Sequence, residues 1–200
     1  MQTEIEAKFL DVNPDDVRER LFSIGGVMTH PERLMRRKVF DFKDGRFDQK
    51  GAWLRVRDEG DKVTVSYKQQ RDTTLHGTSE HVITVDDFGA ACELLVQLGM
   101  VEKSYQETKR ETWMVGEVEV VIDTWPWIPT FIECEGLSED ELRAVVEQLG
   151  FRMEDAVHGG VAAAVYRRYY EIPEKTVNNW PRIVFSEPAP WPKKKCCTRG

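Results

Sequence analysis

Positive charge is in short supply along this 200-residue chain: 28 Lys and Arg stand against 35 Asp and Glu, a formal net charge of −7. That balance argues against a general DNA or RNA binder, and no specific nucleic-acid partner is expected. Cysteine is also sparse. Cys92, Cys134, Cys196 and Cys197 show no metal-ligand spacing, so the thiols read as reduced and the compartment as cytoplasmic. His30, His76, His81 and His158 form no constellation with one another or with a nucleophile. No stretch is apolar and long enough to span a membrane. The first residues include Glu4 and Glu6, which is not the basic-then-apolar layout of a signal peptide. The length suits one domain with a sizeable core.

What the chain does have is alternation. On a β-strand Glu4, Glu6 and Lys8 project from one face, and Ile5, Ala7 and Phe9 from the other. A face with two carboxylates and an ammonium is not a core face. It is either the solvated side of an edge strand or the lining of a wet, charged cavity, where carboxylates hold hard cations and a lysine holds phosphate. The pattern recurs. Arg55 and Arg57 share a face in Trp53–Arg57; Thr64, Ser66 and Lys68 share one in Val63–Lys68. Glu80 opens a further strand, Thr108, Arg110 and Thr112 oppose Lys109, Glu111 and Trp113, and Glu117, Glu119 and Asp123 fall together. Phe131–Glu135 ends in a second Glu-x-Glu pair, Glu133 and Glu135. Repeated polar faces of mixed sign, each backed by an apolar face, point to a shared cavity gathered by a closed or nearly closed antiparallel barrel.

The ordered set of these segments resembles the CYTH superfamily, the triphosphate tunnel metalloenzymes. That family includes class IV adenylyl cyclases, thiamine triphosphatases, inorganic tripolyphosphatases and some RNA triphosphatases. Its opening Glu-x-Glu-x-Lys motif is matched by Glu4, Glu6 and Lys8, its arginine strand by Arg55 and Arg57, and its mid-barrel lysine by Lys68. A strand glutamate is matched by Glu80, an Arg-x-x-aromatic strand by Arg110 and Trp113, and the late acidic set by Asp123, Glu133 and Glu135. The resemblance covers about residues 1 to 170 and implies an α+β fold, an eight-stranded antiparallel barrel with external helices. One position departs: the family's late Lys-x-Arg would place a lysine at 108, where this chain has Thr108. A cationic contact is therefore missing or supplied from elsewhere.

Three external helices are expected between the strands. Asn13 caps one, with Pro14 at its first position and Gly25-Gly26 at its end; Asp86 or Asp87 starts a second that ends at Gly99. Ser138 with Glu141 is a capping box for a third, which stops at Gly150. Residues 160 to 170 read as a last helix, in which Tyr166 resembles a family tyrosine near a tunnel mouth, and Arg167 or Arg168 either reaches substrate or lies on a surface face. Residues 171–200 form a proline- and aromatic-punctuated basic tail, with six Lys and Arg against three Asp and Glu, and the last eight residues read as disordered.

The resemblance implies a small-molecule triphosphate substrate and Mg²⁺ or Mn²⁺ as cofactor, in a monomer or homodimer. Lys8, Arg55, Arg57, Lys68 and Arg110 are the expected phosphate contacts. Glu4, Glu6, Asp123, Glu133 and Glu135 are the expected metal ligands, and Glu4, Glu6, Lys8, Glu80, Glu133 and Glu135 the catalytic set. Hydrolysis of a nucleoside triphosphate, inorganic tripolyphosphate or thiamine triphosphate is the leading reading. Two alternatives stand beside it: a class IV-type cyclase making cyclic AMP and pyrophosphate, and a non-catalytic triphosphate-binding module. The loop Trp125-Pro126-Trp127 between Asp123 and Glu133 either stacks on a base or covers a barrel end.

Overall fold

Segments of period two must pair to satisfy their backbone, and here they pair into one antiparallel sheet. The structure, a computed structural model, describes residues 2–71, 77–161, 165–172 and 177–194, apart from the side chains of residues 2–4 and 178. The side chain of Glu4, and His76, Cys196 and Cys197, thus lie outside the described residues. The strands are β1 (Gln2–Phe9), β2 (Val27–Phe42), β3 (Ala52–Asp58), β4 (Val63–Gln70), β5 (Thr78–Val85), β6 (Met100–Val115), β7 (Val118–Thr124) and β8 (Phe131–Gly136). Their order is β2-β3-β4-β5-β1-β8-β7-β6, and β2 also pairs with β6, which brings the two ends together.

The sheet is a curled, barrel-like one, not fully closed. β1 pairs with β5 only from Gln2 to Glu4, and from Ile5 to Phe9 its partner is β8. Beyond the short seam Lys8 is bridged by Val157, each backbone N–H donating to the other's carbonyl at 3.2 and 2.8 Å.

Seven of these strands contain the alternating segments picked out from the sequence. The eighth, β2, was not anticipated, although with β6 it forms the longest ladder of the sheet. Pro31 and a polar first half hide it, and register shifts at Met28/His30, His30/Arg33 and Val39/Phe40 break its period. Glu117 differs from expectation too: it sits exposed in the β6–β7 turn, just outside the strand that carries Glu119 and Asp123.

The helices begin where their caps demand. Asn13 accepts from the Asp15 amide at the start of α1 (Pro14–Ser23), Asp87 from the Ala90 amide at α2 (Phe88–Gln97), and Ser138 from the Glu141 amide at α3 (Glu139–Gln148). Val17 and Leu21 of α1, Leu142 and Val146 of α3 and Leu149 at its C-cap bury the outer face of β1, β7 and β8, where Ala7, Phe9, Val120, Ile132 and Cys134 point. Cys134 therefore faces the apolar layer, as its position between two glutamates required. α2 covers Phe40 and Val56 on the other flank. The hydrophobic core is outside the curl and the charged residues are inside it, an arrangement that leaves the interior for a ligand.

A third cluster closes one end. Trp125, Ile128, Phe131, Tyr166 and Tyr170 pack with the half-buried Trp127, Trp180 and Trp191. The tail supplies part of it: β9 (Arg182–Ile183) runs parallel to β6, and Lys193 bridges Tyr170. Residues 193 and 194 are thus paired rather than disordered. The last helix, α4, is described over Tyr166–Tyr169, with Arg167 and Arg168 exposed; residues 162–164 lie outside the described residues. Tyr166 is fully buried and its hydroxyl donates to the Pro126 carbonyl at 2.8 Å. No helix among the described residues is long and apolar enough to cross a membrane.

Candidate active site: a cavity with one basic and one acidic wall

Directly paired residues on antiparallel strands point to the same side, so the registers place the charged side chains on two walls of the interior. Arg37 of β2 is opposite Arg57 of β3, and Arg55 is two residues further along. Lys68 of β4 is opposite Glu80 of β5. Glu6 of β1 is opposite Glu135 of β8, which on its other side faces Glu119 of β7; Lys8 is opposite Glu133. All of these line one cavity of about 200 Å³, together with Arg110, Trp53, Gln106 and Trp125. The cross-strand pairs Arg37–Arg57, Glu6–Glu135 and Glu119–Glu135 are like-charged, which costs stability and needs a reason beyond folding.

Some of the charges are already spoken for. The Lys8 ammonium contacts Glu6 at 2.8 Å and Glu133 at 3.0 Å and is only 2% exposed. Arg110 holds Asp123 with Nε on Oδ1 at 2.7 Å and Nη2 on Oδ2 at 2.5 Å, and reaches Glu133 at 3.2 Å. Arg57 donates to Glu59 from Nε and Nη2 at 2.9 and 2.5 Å. Looser contacts join Arg55 and Lys68 to Glu80, at 3.4 and 3.6 Å.

Arg37 differs from all of these. Its Nη2 donates to the Thr108 hydroxyl at 2.6 Å and its guanidinium lies 4.6 Å from the centre of the Trp125 ring, but no carboxylate among the described residues forms an ion pair with it. A cation from the neighbouring strand thus lies beside position 108. Nε of Arg37 and Nε of Arg55 are both buried with no hydrogen-bond partner.

Burial acts on these groups in opposite directions. It raises the Glu6 and Glu135 carboxyls to about 7; Lys8 opposes the rise at Glu6, Lys68 opposes it at Glu135, and the Glu133 charge adds to it at both. At Glu133 burial also pushes upward, but Lys8 and Arg110 outweigh it and hold the carboxyl well below its usual range. Burial lowers Arg55 to about 10, with Arg57 adding to the effect. It also lowers Arg37 well below its ordinary value, and Arg55, Arg57 and Arg110 all push the same way. A guanidinium does not give up its proton in water, so this shift expresses an unrelieved electrostatic cost that an anion would remove.

A divalent cation fits the acidic wall, in a particular way. Among the described residues no three acidic, histidine or cysteine side chains converge as a complete metal cage. Of the ligands expected from sequence, Asp123 is fully buried against Arg110, does not line the cavity, and Glu133 is shared between Lys8 and Arg110. Glu6, although paired with Lys8, directly faces Glu135, and Glu135 faces Glu119; neither Glu135 nor Glu119 has an ion pair among the described residues. Mg²⁺ is usually bound by one or two carboxylates plus waters and substrate phosphate, and that donor set matches hard oxygen chemistry.

Sequence reasoning missed Arg37 with the strand that carries it, and also Glu59, which lies just past β3 yet is 4% exposed. A segment such as Val39-Phe40-Asp41-Phe42 carries a strand signal for β2, but nothing local marks Arg37 as inward. In the Trp125–Trp127 loop, Trp127 packs on Tyr166 and Trp191, and Trp125 lines the cavity against Arg37.

The family model described as CYTH domain matches residues 2–160. The fold is similar to that of the PH1012 protein of Pyrococcus horikoshii, 22% identical over 76% of this chain and 93% of that one, with a TM-score of 0.65. A Vibrio parahaemolyticus protein provisionally assigned as an adenylate cyclase is 16% identical over 84% and 97%, with a TM-score of 0.70. A Hippeastrum protein, provisionally assigned as an adenylyl cyclase and described by a dominant triphosphatase activity, is 15% identical over 78% and 91%, with a TM-score of 0.58. At these identities the likeness speaks for the fold alone. No curated protein matches the chain significantly. With the family model spanning most of the sequence, the curled eight-stranded sheet and its charged interior belong to a member of the CYTH domain family, the triphosphate tunnel metalloenzymes.

Proposed function

We propose that the protein is a divalent-metal-dependent triphosphatase, hydrolysing a triphosphate-containing substrate held between the two walls of the cavity. The observation that carries the reading is the basic wall. Arg55 and Arg57 stand half-buried on it, Arg55 with one long contact to Glu80 and Arg57 held by Glu59, and they face a wall of Glu6, Glu119 and Glu135. A linear triphosphate brings about four negative charges at neutral pH, and fixed cations set in advance are how a protein accommodates such charge without reorganising. Pure anion binding would not need the facing carboxylates.

The roles divide along the ion pairs. Arg55 and Arg57 offer forked donors to non-bridging oxygens, with Lys68 beside them as a point charge. Glu80 sits between Arg55 and Lys68 and orients both. Glu133 fixes Lys8 and Arg110, and Asp123 fixes Arg110, so these cations present directed N–H groups rather than mobile ones. Glu6 and Glu135, with Glu4, would hold Mg²⁺ or Mn²⁺; when bound, such an ion supplies charge neutralisation and makes a nearby water more acidic. A carboxyl near 7 is also matched to accepting a proton from an attacking water at neutral pH. Water then adds to a terminal phosphorus, the anhydride bond breaks, and orthophosphate and the shortened chain leave.

Incubating the protein with inorganic tripolyphosphate and with ATP, in Mg²⁺ and in Mn²⁺, and separating the products tests this. Orthophosphate without a cyclic nucleotide is expected. Cyclic AMP with pyrophosphate would replace the reading with a cyclase, and metal-independent binding without turnover would replace it with a binding module.

A further inference from the structure

Four guanidinium groups, Arg37, Arg55, Arg57 and Arg110, line the same cavity, and three of them have a carboxylate partner. Arg37 has none among the described residues, although it is only 4% exposed. What it has is a mount: Thr108, fully buried on β6, accepts from Nη2 at 2.6 Å, and the Trp125 ring supports the flat face at 4.6 Å. These two contacts fix the plane of the guanidinium and leave Nε without a partner. Stacking on an aromatic ring offsets part of the cost of burying a cation but cannot replace a counter-ion.

We infer that Arg37 is a specificity-determining phosphate contact, held by Thr108 and Trp125 so that its free N–H groups await an oxygen of the phosphate chain. The inference rests on the triphosphatase reading and deepens it by assigning a contact from β2. A bound polyphosphate would place its charge among Arg37, Arg55 and Arg57 and relieve their mutual repulsion, so the ligand, rather than a protein carboxylate, completes the ion pair. Thr108 is a positioning residue, acting through Arg37.

Replacing Arg37 has two effects of opposite sign, which a merely structural residue would not show. Arg37→Met removes a buried cation with no counter-ion and keeps an apolar stem against Trp125, so the ligand-free protein becomes more heat-stable. The same change weakens binding of inorganic tripolyphosphate, measured by titration calorimetry in the presence of Ca²⁺, by tenfold or more. Adding Thr108→Lys to Arg37→Met returns an ammonium from the adjacent strand position and recovers most of the affinity. The inference alone is overturned if wild-type protein binds tripolyphosphate and Arg37→Met binds it equally well. It is overturned as a structural misreading if Arg37→Met lowers the melting temperature and the double variant does not regain binding. Failure of the wild-type protein itself to bind tripolyphosphate would overturn both this inference and the triphosphatase reading.

Discussion

Arg110 and Asp123 face each other directly across the β6–β7 ladder, and the guanidinium grips the carboxylate through two parallel N–H···O bonds of 2.7 and 2.5 Å. Asp123 is fully buried and Arg110 lines the cavity. The pair sets the direction in which Arg110 presents its remaining donors. Removing one partner of a buried pair leaves the other charge uncompensated. Asp123→Ala is expected to lower stability by about 3–5 kcal/mol in urea denaturation. Asp123→Ala with Arg110→Met recovers most of that loss while turnover stays low. An Asp123→Ala protein of unchanged stability would show that the pair is not holding Arg110.

Acidity of the Glu6 and Glu135 carboxyls gives the ligand-free protein a definite pH response. Both rise from 4.5 to about 7 on folding, chiefly through burial. The folded state therefore binds protons more tightly than the unfolded one, and the contribution is complete below pH 4.5 and is lost as pH rises through 7. Between those values these two groups make the melting temperature fall. A divalent cation competes with those protons, so the stabilisation by Mg²⁺ or Mn²⁺ should be larger at pH 8 than at pH 6. Equal stabilisation at both pH values would remove these two carboxylates from the metal site.

Glu135→Gln separates the cost of the site from its use. At pH 8 the substitution removes a buried charge that the fold disfavours, so the ligand-free protein gains on the order of 3 kcal/mol, the equivalent of its displacement from 4.5 to about 7. Metal-dependent orthophosphate release should fall at least a hundredfold. A variant that is both unstable and fully active would contradict both assignments.

On the basic wall, Arg55→Ala should raise KM for tripolyphosphate tenfold or more, because Arg55 has a single long contact with Glu80 and a buried Nε with no partner. An unchanged KM in steady-state assays would place the phosphate chain elsewhere.

Leu142→Ala provides the contrast. Leu142 is fully buried behind the sheet, among Val118, Val146 and Leu149, and lines no part of the cavity. A loss of about 2–5 kcal/mol is expected on denaturation. KM for tripolyphosphate should stay as in the wild type at a temperature where the variant is folded. A changed KM would mean that the outer core and the interior are not independent.

Much of this arrangement is visible in the chain because the two faces of each strand differ so sharply. Glu6, Lys8, Arg55, Arg57, Lys68, Glu133 and Glu135 declare themselves by standing every second residue among apolar neighbours, and the helix caps at Asn13, Asp87 and Ser138 declare the helices. β2 did not declare itself, since Pro31 and three register shifts disrupt its period, and Arg37 was lost with it. Nor does spacing reveal who pairs with whom. Asp123 and Glu133 share the acidic pattern of Glu135, yet Arg110 and Lys8 engage the first two and leave the third to titrate near neutrality. That distinction depends on register across four strands, which no local run of sequence encodes.

The central claim is that the chain of phosphates lies along the basic wall with a metal ion on the acidic one. A crystal structure with Mn²⁺ and a non-hydrolysable triphosphate tests it most directly, because anomalous scattering locates the metal without assumption. The account predicts manganese beside Glu6 and Glu135 and phosphate oxygens on Arg55 and Arg57. Manganese or phosphate bound outside the curl of the sheet, with the cavity unchanged, would contradict it.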